Sequence, residues 1–349
     1  MTALSRTTRH GVFRAFTIVL ASSAAAMGGA RGAAAHDYWM LPDPLVLPPA
    51  AERDVALALF VGDDFVAEDE KRFERARASR FVHVTRDGAT DVLGQAAEGQ
   101  APILRVSLGA EGGHLFALDR NAARIELPAE RFEQYLEHEG LSAVVVERAK
   151  RGESALAGRE RYTRHLKALV QVGAARDAVF GAVLGQELEI VPEADPVHVE
   201  PGASVSVRVL FRGSPLDGAR LEAMSHGAEG VRISAFATDH RGAARVPVER
   251  RGVHLLRLVH MVRCAGCEDA DWQSFWASYV FATAAPDGSA VVAPPMRQSF
   301  RRASWTDRGL VRGIAAVLAL SGLAAVVLLL RWSRRPRRPR DAAGRHGDG

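Results

Sequence analysis

His36 carries the most specific chemistry in this 349-residue chain, because of what stands before it. Arg6, Arg9 and Arg14, an apolar run from Ala15 to Met27, and the small residues Ala33-Ala34-Ala35 read as a secretory signal over residues 1–35, cleaved after Ala35. Cleavage there makes His36 the first residue of the mature chain. Its α-amino nitrogen and imidazole can then close one chelate ring on a metal ion, a nitrogen pair suited to Cu(II), Ni(II) or Co(II). The competing reading is that a histidine simply falls at that position.

The second concentration of reactive groups runs from His260 through Met261, Arg263, Cys264, Cys267, Glu268, Asp269 and Asp271 to Trp272. Cys264 and Cys267 are the only cysteines. In an exported chain this spacing favours a local disulfide. Metal thiolates and free thiols are the alternatives, and one Cys-x-x-Cys supplies only half of a four-ligand zinc site. His260 ends a strand-like run just before this loop and is the preferred third ligand to a metal on His36, with Asp271 as an oxygen donor. The competing reading of His260 is an edge-strand side chain facing solvent.

Other chemistry is not indicated. The chain has no Gly-rich phosphate loop, no Gly-x-Ser-x-Gly elbow and no His-Glu-x-x-His helix. Glu137-His138-Glu139 reads as a solvated helix face, His83 and His165 as lone packed or exposed histidines, and Asp239-His240 as a turn. No catalytic residue is assigned, and the expectation is that the protein is not an enzyme.

The elements that would hold these residues are mostly short strands. Asp54–Val61, Arg80–Val84, Ile103–Leu108, Leu115–Leu118 and Ala123–Leu127 are strand-like runs separated by turn signals. Phe132, Tyr135 and Leu136 share one helical face, ended by Gly140, and Ala143–Lys150 and Arg159–Val170 also read as helix. A further strand-rich stretch holds Leu188–Val191, Val205–Phe211, Ala219–Met224, Gly230–Thr238, Ala244–Val248, Val253–Val262 and Tyr279–Ala282. The expected fold is therefore mainly β, with two β-sandwich domains. Residues 36–194 form the first, with a helical insertion near 128–170. Residues 195–283 form the second, immunoglobulin-like by its strand number and turn spacing.

Charge and hydropathy place the ends. Net charge is +4, yet residues 1–35 contribute +4 and 331–349 contribute +5, so residues 36–330 carry −5. A mildly acidic body makes poor phosphate-binding surface, which argues against nucleic acid. The 18 uncharged residues from Gly313 to Leu330 span about 27 Å as a helix, close to a bilayer's hydrocarbon thickness. Seven arginines follow within residues 331–349, which marks a cytoplasmic tail. This predicts a linker over 284–308, a C-terminal transmembrane helix over 309–331 and a basic tail over 332–349. The protein is then a single-pass inner-membrane protein with its body in the periplasm.

Several stretches together carry a family resemblance. They are Ala35-His36-Asp37-Tyr38-Trp39, Phe132-Glu-Gln-Tyr135-Leu with Glu139-Gly140-Leu141, and Arg161-Tyr162-x-Arg164 with Lys167. Leu184-Gly185 through Pro192 with Asp195-Pro196, Leu210-Phe211-x-Gly213-x-Pro215-Leu216, His260-Met261 and Asp271-Trp272-x-Ser274-Phe-Trp276 follow in order. Over residues 36–283 the chain thus resembles the DUF4198 family, which includes extracytoplasmic components of nickel and cobalt uptake systems. The resemblance implies a transition-metal cargo, nickel or cobalt before copper, and a metal transporter's membrane subunits as partners.

The expectation is thus a membrane-anchored periplasmic protein that binds a transition metal through His36, His260 and Asp271 and serves nickel or cobalt uptake. Two alternatives stand beside it. One is a protein-interaction module without metal; the other is a copper-dependent oxidoreductase that uses the N-terminal histidine.

Overall fold

The computed structural model describes residues 36–49, 54–227 and 229–296. The signal segment, the apolar run 313–330 and the basic tail lie outside the described residues. The chain is mainly β, as expected. Its first half contains β1 (Asp37–Asp43), β2 (Val46–Leu47), β3 (Asp54–Asp63), β4 (Val66–Lys71), β5 (Ala78–Thr85), β6 (Gly88–Asp91), β7 (Leu104–Ser107) and β8 (Gly112–Leu127). Helices α1 (Ala129–His138) and α2 (Ser142–Arg151) follow, and then β9 (Gly158–Val172). The second half contains β10 (Leu188–Pro192), β11 (Ser204–Phe211), β12 (Ser214–Pro215), β13 (Arg220–Gly227), β14 (Gly230–Ala237), β15 (Ala243–Pro247), β16 (Val253–Arg263) and β17 (Trp272–Ala282).

Three sheets result. β3 is flanked by β1 on one edge and by β4 and β7 in succession on the other. β11 carries β10, β12 and β15. The large sheet runs β14-β13-β16-β17-β9-β8-β5-β6, with β2 added at the end of β9. This sheet crosses the expected boundary at residue 194, because β17 lies parallel to β9 from Trp272↔Glu160 to Val280↔Ala168. One apolar core accordingly takes in residues from both halves, from Trp39, Leu59 and Phe116 to Val207, Leu255 and Phe281.

Two readings are corrected. Arg159–Val170, expected as helix, is strand β9. It is covered on both faces beyond Arg164, so its burial there is continuous instead of alternating. Two of its buried polar residues are paired: Lys167 Nζ lies 2.7 Å from Glu189, and His165 Nδ1 lies 2.9 Å from Asp119. Leu115–Leu118 and Ala123–Leu127, expected as two strands, are parts of the single strand β8. The segment between the two expected runs holds a register shift against β9, between Arg120↔Arg164 and Ala123↔Tyr162.

The expected linker is also partly docked. Val291 exchanges backbone hydrogen bonds with Val46, and Met296 is buried.

The helical pair forms as its apolar spacing requires. Phe132, Tyr135 and Leu136 pack with Val144 over Val259, Met261, Trp272 and Trp276 of the large sheet. Gly158 allows the close approach, since a Cβ there would stand 2.1 Å from the Phe132 ring. Beneath α1, the Tyr135 hydroxyl donates to Glu160 Oε1 at 3.2 Å, Ser274 Oγ donates to the same oxygen, and Trp276 Nε1 donates to Ser274 Oγ at 3.0 Å. Burial pushes the Glu160 carboxyl from 4.5 up to about 7. A raised acid favours the folded state at low pH, and that contribution is lost as pH rises from 4.5 through about 7. Glu160→Gln should therefore flatten the pH dependence of stability in this window and gain up to about 3 kcal/mol at pH 8. Thermal melts of both proteins from pH 4 to 8 measure it, and parallel curves would refute the assignment.

Candidate metal centre

The hairpin of β3 and β4 is built to present two carboxylates to the start of β1. Its loop is the two residues Asp64 and Phe65, both at φ 57°. That pair of left-handed conformations matches the tight hairpin turn whose twist suits the flanking strands. Phe65 is an unusual residue for it, and burial holds it there. Its ring is fully enclosed, 5.5 Å from the rings of Trp39 and His226. Two positions earlier the ladder shifts: Val61 faces Asp69 and Gly62 faces Ala67, which leaves Glu68 as the extra residue of a bulge. Bulges re-aim side chains. A Cβ on Gly62 would sit 2.0 Å from the Val66 carbonyl oxygen, so only glycine fits.

Asp37 pairs with Gly62, so the preceding His36 reaches this hairpin end. His36 Nδ1 lies 3.0 Å from Asp63 Oδ1, and Nε2 lies 3.9 Å from Glu68 Oε2. The donor atoms of the three residues all fall within 4.8 Å of one another. Among the described residues this is the one group of three or more His, Cys, Asp and Glu side chains that does so. The hydrogen bond to Asp63 raises the His36 pKa above 6.5, with help from the charges of Asp63, Glu68 and Asp37 and against partial burial. One imidazole nitrogen and two carboxylate oxygens suit a divalent ion of the later first-row series.

Behind the group lies a buried ion cluster. Arg257 on β16 meets Asp37 at 2.9 Å, Glu139 at 2.5 Å and Glu222 at 2.8 Å. Glu139 follows α1 and is buried, which corrects its reading as part of a solvated face. One guanidinium does not neutralise three carboxylates. Burial pushes Asp37 up to about 7 and also raises Glu139, each against the pull of Arg257.

The two other residues expected as ligands stand elsewhere. His260 is half-buried on β16, its ring edge-on to Phe211 at 4.5 Å. Burial and the Arg212 charge lower its pKa. Alternation along β16 sends it to the face opposite Arg257, hence away from the strand face that reaches Asp37. Both Asp271 oxygens are engaged by Arg159, at 2.9 and 2.7 Å, and its pKa is held below the ordinary value. Cys264 and Cys267 are joined as a disulfide. Neither His260 nor Asp271 belongs to the group around His36.

Asp63 and Glu68 were not singled out in the sequence. Gly62-Asp63-Asp64 read only as the close of a strand. The ligand role depends on β1 pairing with β3, which no local pattern reveals. Gly62→Ala should unfold the hairpin locally and weaken both stability, by about 2 kcal/mol or more, and divalent-metal binding. A variant with unchanged melting temperature and metal affinity would contradict the bulge argument.

A family model described as a domain of unknown function, DUF4198, matches residues 33–262. No curated protein matches the chain.

Proposed function

Since the chain belongs to the DUF4198 family, and since His36 meets two carboxylates at ligand distance, we propose that it is an extracytoplasmic transition-metal-binding protein. The convergence of His36, Asp63 and Glu68 is the observation that carries this reading. Nickel or cobalt is the proposed cargo, with copper next, and delivery to a membrane transporter of an uptake system is the proposed role. Cleavage after Ala35 would add the α-amino nitrogen to the set, giving two nitrogens and two oxygens, a donor set suited to tetragonal Ni(II) or Cu(II). Anchoring through 309–331 would hold the body at the outer face of the inner membrane. The packing of β10 against β16 and β17, and of β11's Val205, Val207 and Val209 into one core with Leu255 and Phe281, supports an immunoglobulin-like second unit. In this reading it is the scaffold that carries Arg257 and Glu222 beneath the metal.

The test is titration of the processed full-length protein with Ni(II), Co(II) and Cu(II). Asp63→Asn and Glu68→Gln should each weaken binding by about tenfold or more, since even partners one bond removed from a metal are worth that much. Unaltered affinity in both would sink the site. Loss on His260→Ala with none on Asp63→Asn would return the site to the loop near the disulfide.

A further inference from the structure

A second site, for an anion, is built where β8 shifts register against β9. Arg77, Arg120, Asn121, Ala123, Tyr162 and Arg164 line a small cleft there, and no carboxylate lines it. Arg120 and Arg164 are directly opposite each other in the ladder. Like charges in that relation cost stability unless something offsets them. Here the offset is aromatic: the two guanidinium carbons lie 4.9 and 5.0 Å from the centre of the Tyr38 ring. Arg164 is also 4.6 Å from Tyr162 and 5.8 Å from Trp276.

Hydrogen-bond partners are few. Arg120 donates to the Tyr38 hydroxyl. Arg77 is paired with Glu74 at 2.8 Å on the exposed rim, and Asn121 is fixed by donating to the Ala76 carbonyl at 2.8 Å. Arg164 Nε is fully buried and has no partner among the described residues. Glu160, whose titration Arg164 influences, uses its Oε1 for Tyr135 and Ser274. A guanidinium held by ring faces keeps its planar N–H fork for something else.

We propose that this cleft binds the carboxylate group of a small organic ligand. Two adjacent arginine forks match a planar carboxylate in shape and charge. The cleft's volume of about 10 Å³ admits a group of roughly one water's size. That seats one oxygen of a terminal carboxylate and leaves the rest of the group and its carrier at the open mouth. The proposal does not depend on the metal reading.

Isothermal titration of the full chain, metal-free and at low ionic strength, tests it with acetate and succinate as free acids, N-acetyl-Gly-Gly as a polypeptide terminus, and orthophosphate. One-to-one binding of a carboxylate is expected, and whichever carrier binds tighter identifies the source. Arg164→Gln should weaken it about tenfold or more, with Arg164→Lys in between, because a lysine keeps the charge and loses the fork. Arg77→Gln, on the exposed rim, should cost a smaller factor and serves if Arg164→Gln does not fold. The control Arg212→Gln should bind as the parent does. No carboxylate binding, equal affinity in Arg164→Gln and Arg77→Gln, or tighter binding of orthophosphate than of any carboxylate would overturn the proposal.

Discussion

Arg257→Met is expected to destabilise the folded protein by about 3–5 kcal/mol, the usual cost of leaving buried charge without its partner. Asp37, Glu139 and Glu222 all depend on this one guanidinium, and they come from β1, the end of α1 and β13. Without it the folded-state pKa values of Asp37 and Glu139, already raised by burial, rise further. A carboxyl group raised on folding stabilises below its unfolded value, near 4, and withdraws that contribution as pH climbs through its folded value. The deficit should therefore be largest above pH 7 and shrink toward pH 4. Adding Glu139→Gln to Arg257→Met should recover part of the loss, since the two sites share one cluster. Denaturant melts at pH 5 and 8 measure both effects. A loss under 1 kcal/mol at pH 8 would show that water, and not Arg257, balances the carboxylates.

Extending the mature chain by one residue, so that Ala35 precedes His36, is expected to lower metal affinity about 100-fold, the low end of what joining two ligands in one molecule gains, while leaving stability unchanged. The imidazole stays beside Asp63 and Glu68, yet the α-amino nitrogen becomes a peptide nitrogen and the chelate ring is lost. The pH dependence should be steep in both proteins. A proton competes with the metal for His36, and the neighbouring carboxylates hold that proton more tightly than usual. Affinity should thus start to fall above pH 6.5 and drop further as the medium acidifies. In the unextended protein the amine, with a reference pKa of about 7.7–8.0, adds a second proton to displace. Equal Ni(II) affinity of the two forms would eliminate the chelate and leave a three-ligand site.

What could be read from the chain depended on how local each cause was. The face of Phe132, Tyr135 and Leu136 identified α1 because period 3.6 is written within ten residues. Most strands of the second half were placed to within a residue or two, since each is bounded by its own turn. β9 was misread because its pattern answers to neighbours met only in the fold: β8 along one edge, β17 along the other, and a buried Lys167 matched by the distant Glu189. The metal group shows the same divide. His36 was visible from its place after a cleavage pattern. Asp63 and Glu68 reach it only through the pairing of β1 with β3 and the bulge at Gly62. His260 and Asp271 were near each other in sequence and rich in donors, and the fold uses them for packing and for an arginine pair.

The parallel seam between β9 and β17 imposes an order of events on a chain made from its N-terminus. Along the edge away from β8, residues 160–168 of β9 receive their partners only from residues 272–280. Until more than a hundred later residues have emerged, the first half holds one long strand edge open to any other chain it meets. Such distant pairing forms late because a large loop must close first. Arg257 lies between the two partners in sequence, so the cation beneath His36 arrives shortly before the strand that seals the sheet. An incompletely made chain would therefore carry the hairpin with Asp63 and Glu68 but neither the counter-charge nor the closing strand. The counter-charge beneath His36 and protection from aggregation are acquired together, late in synthesis.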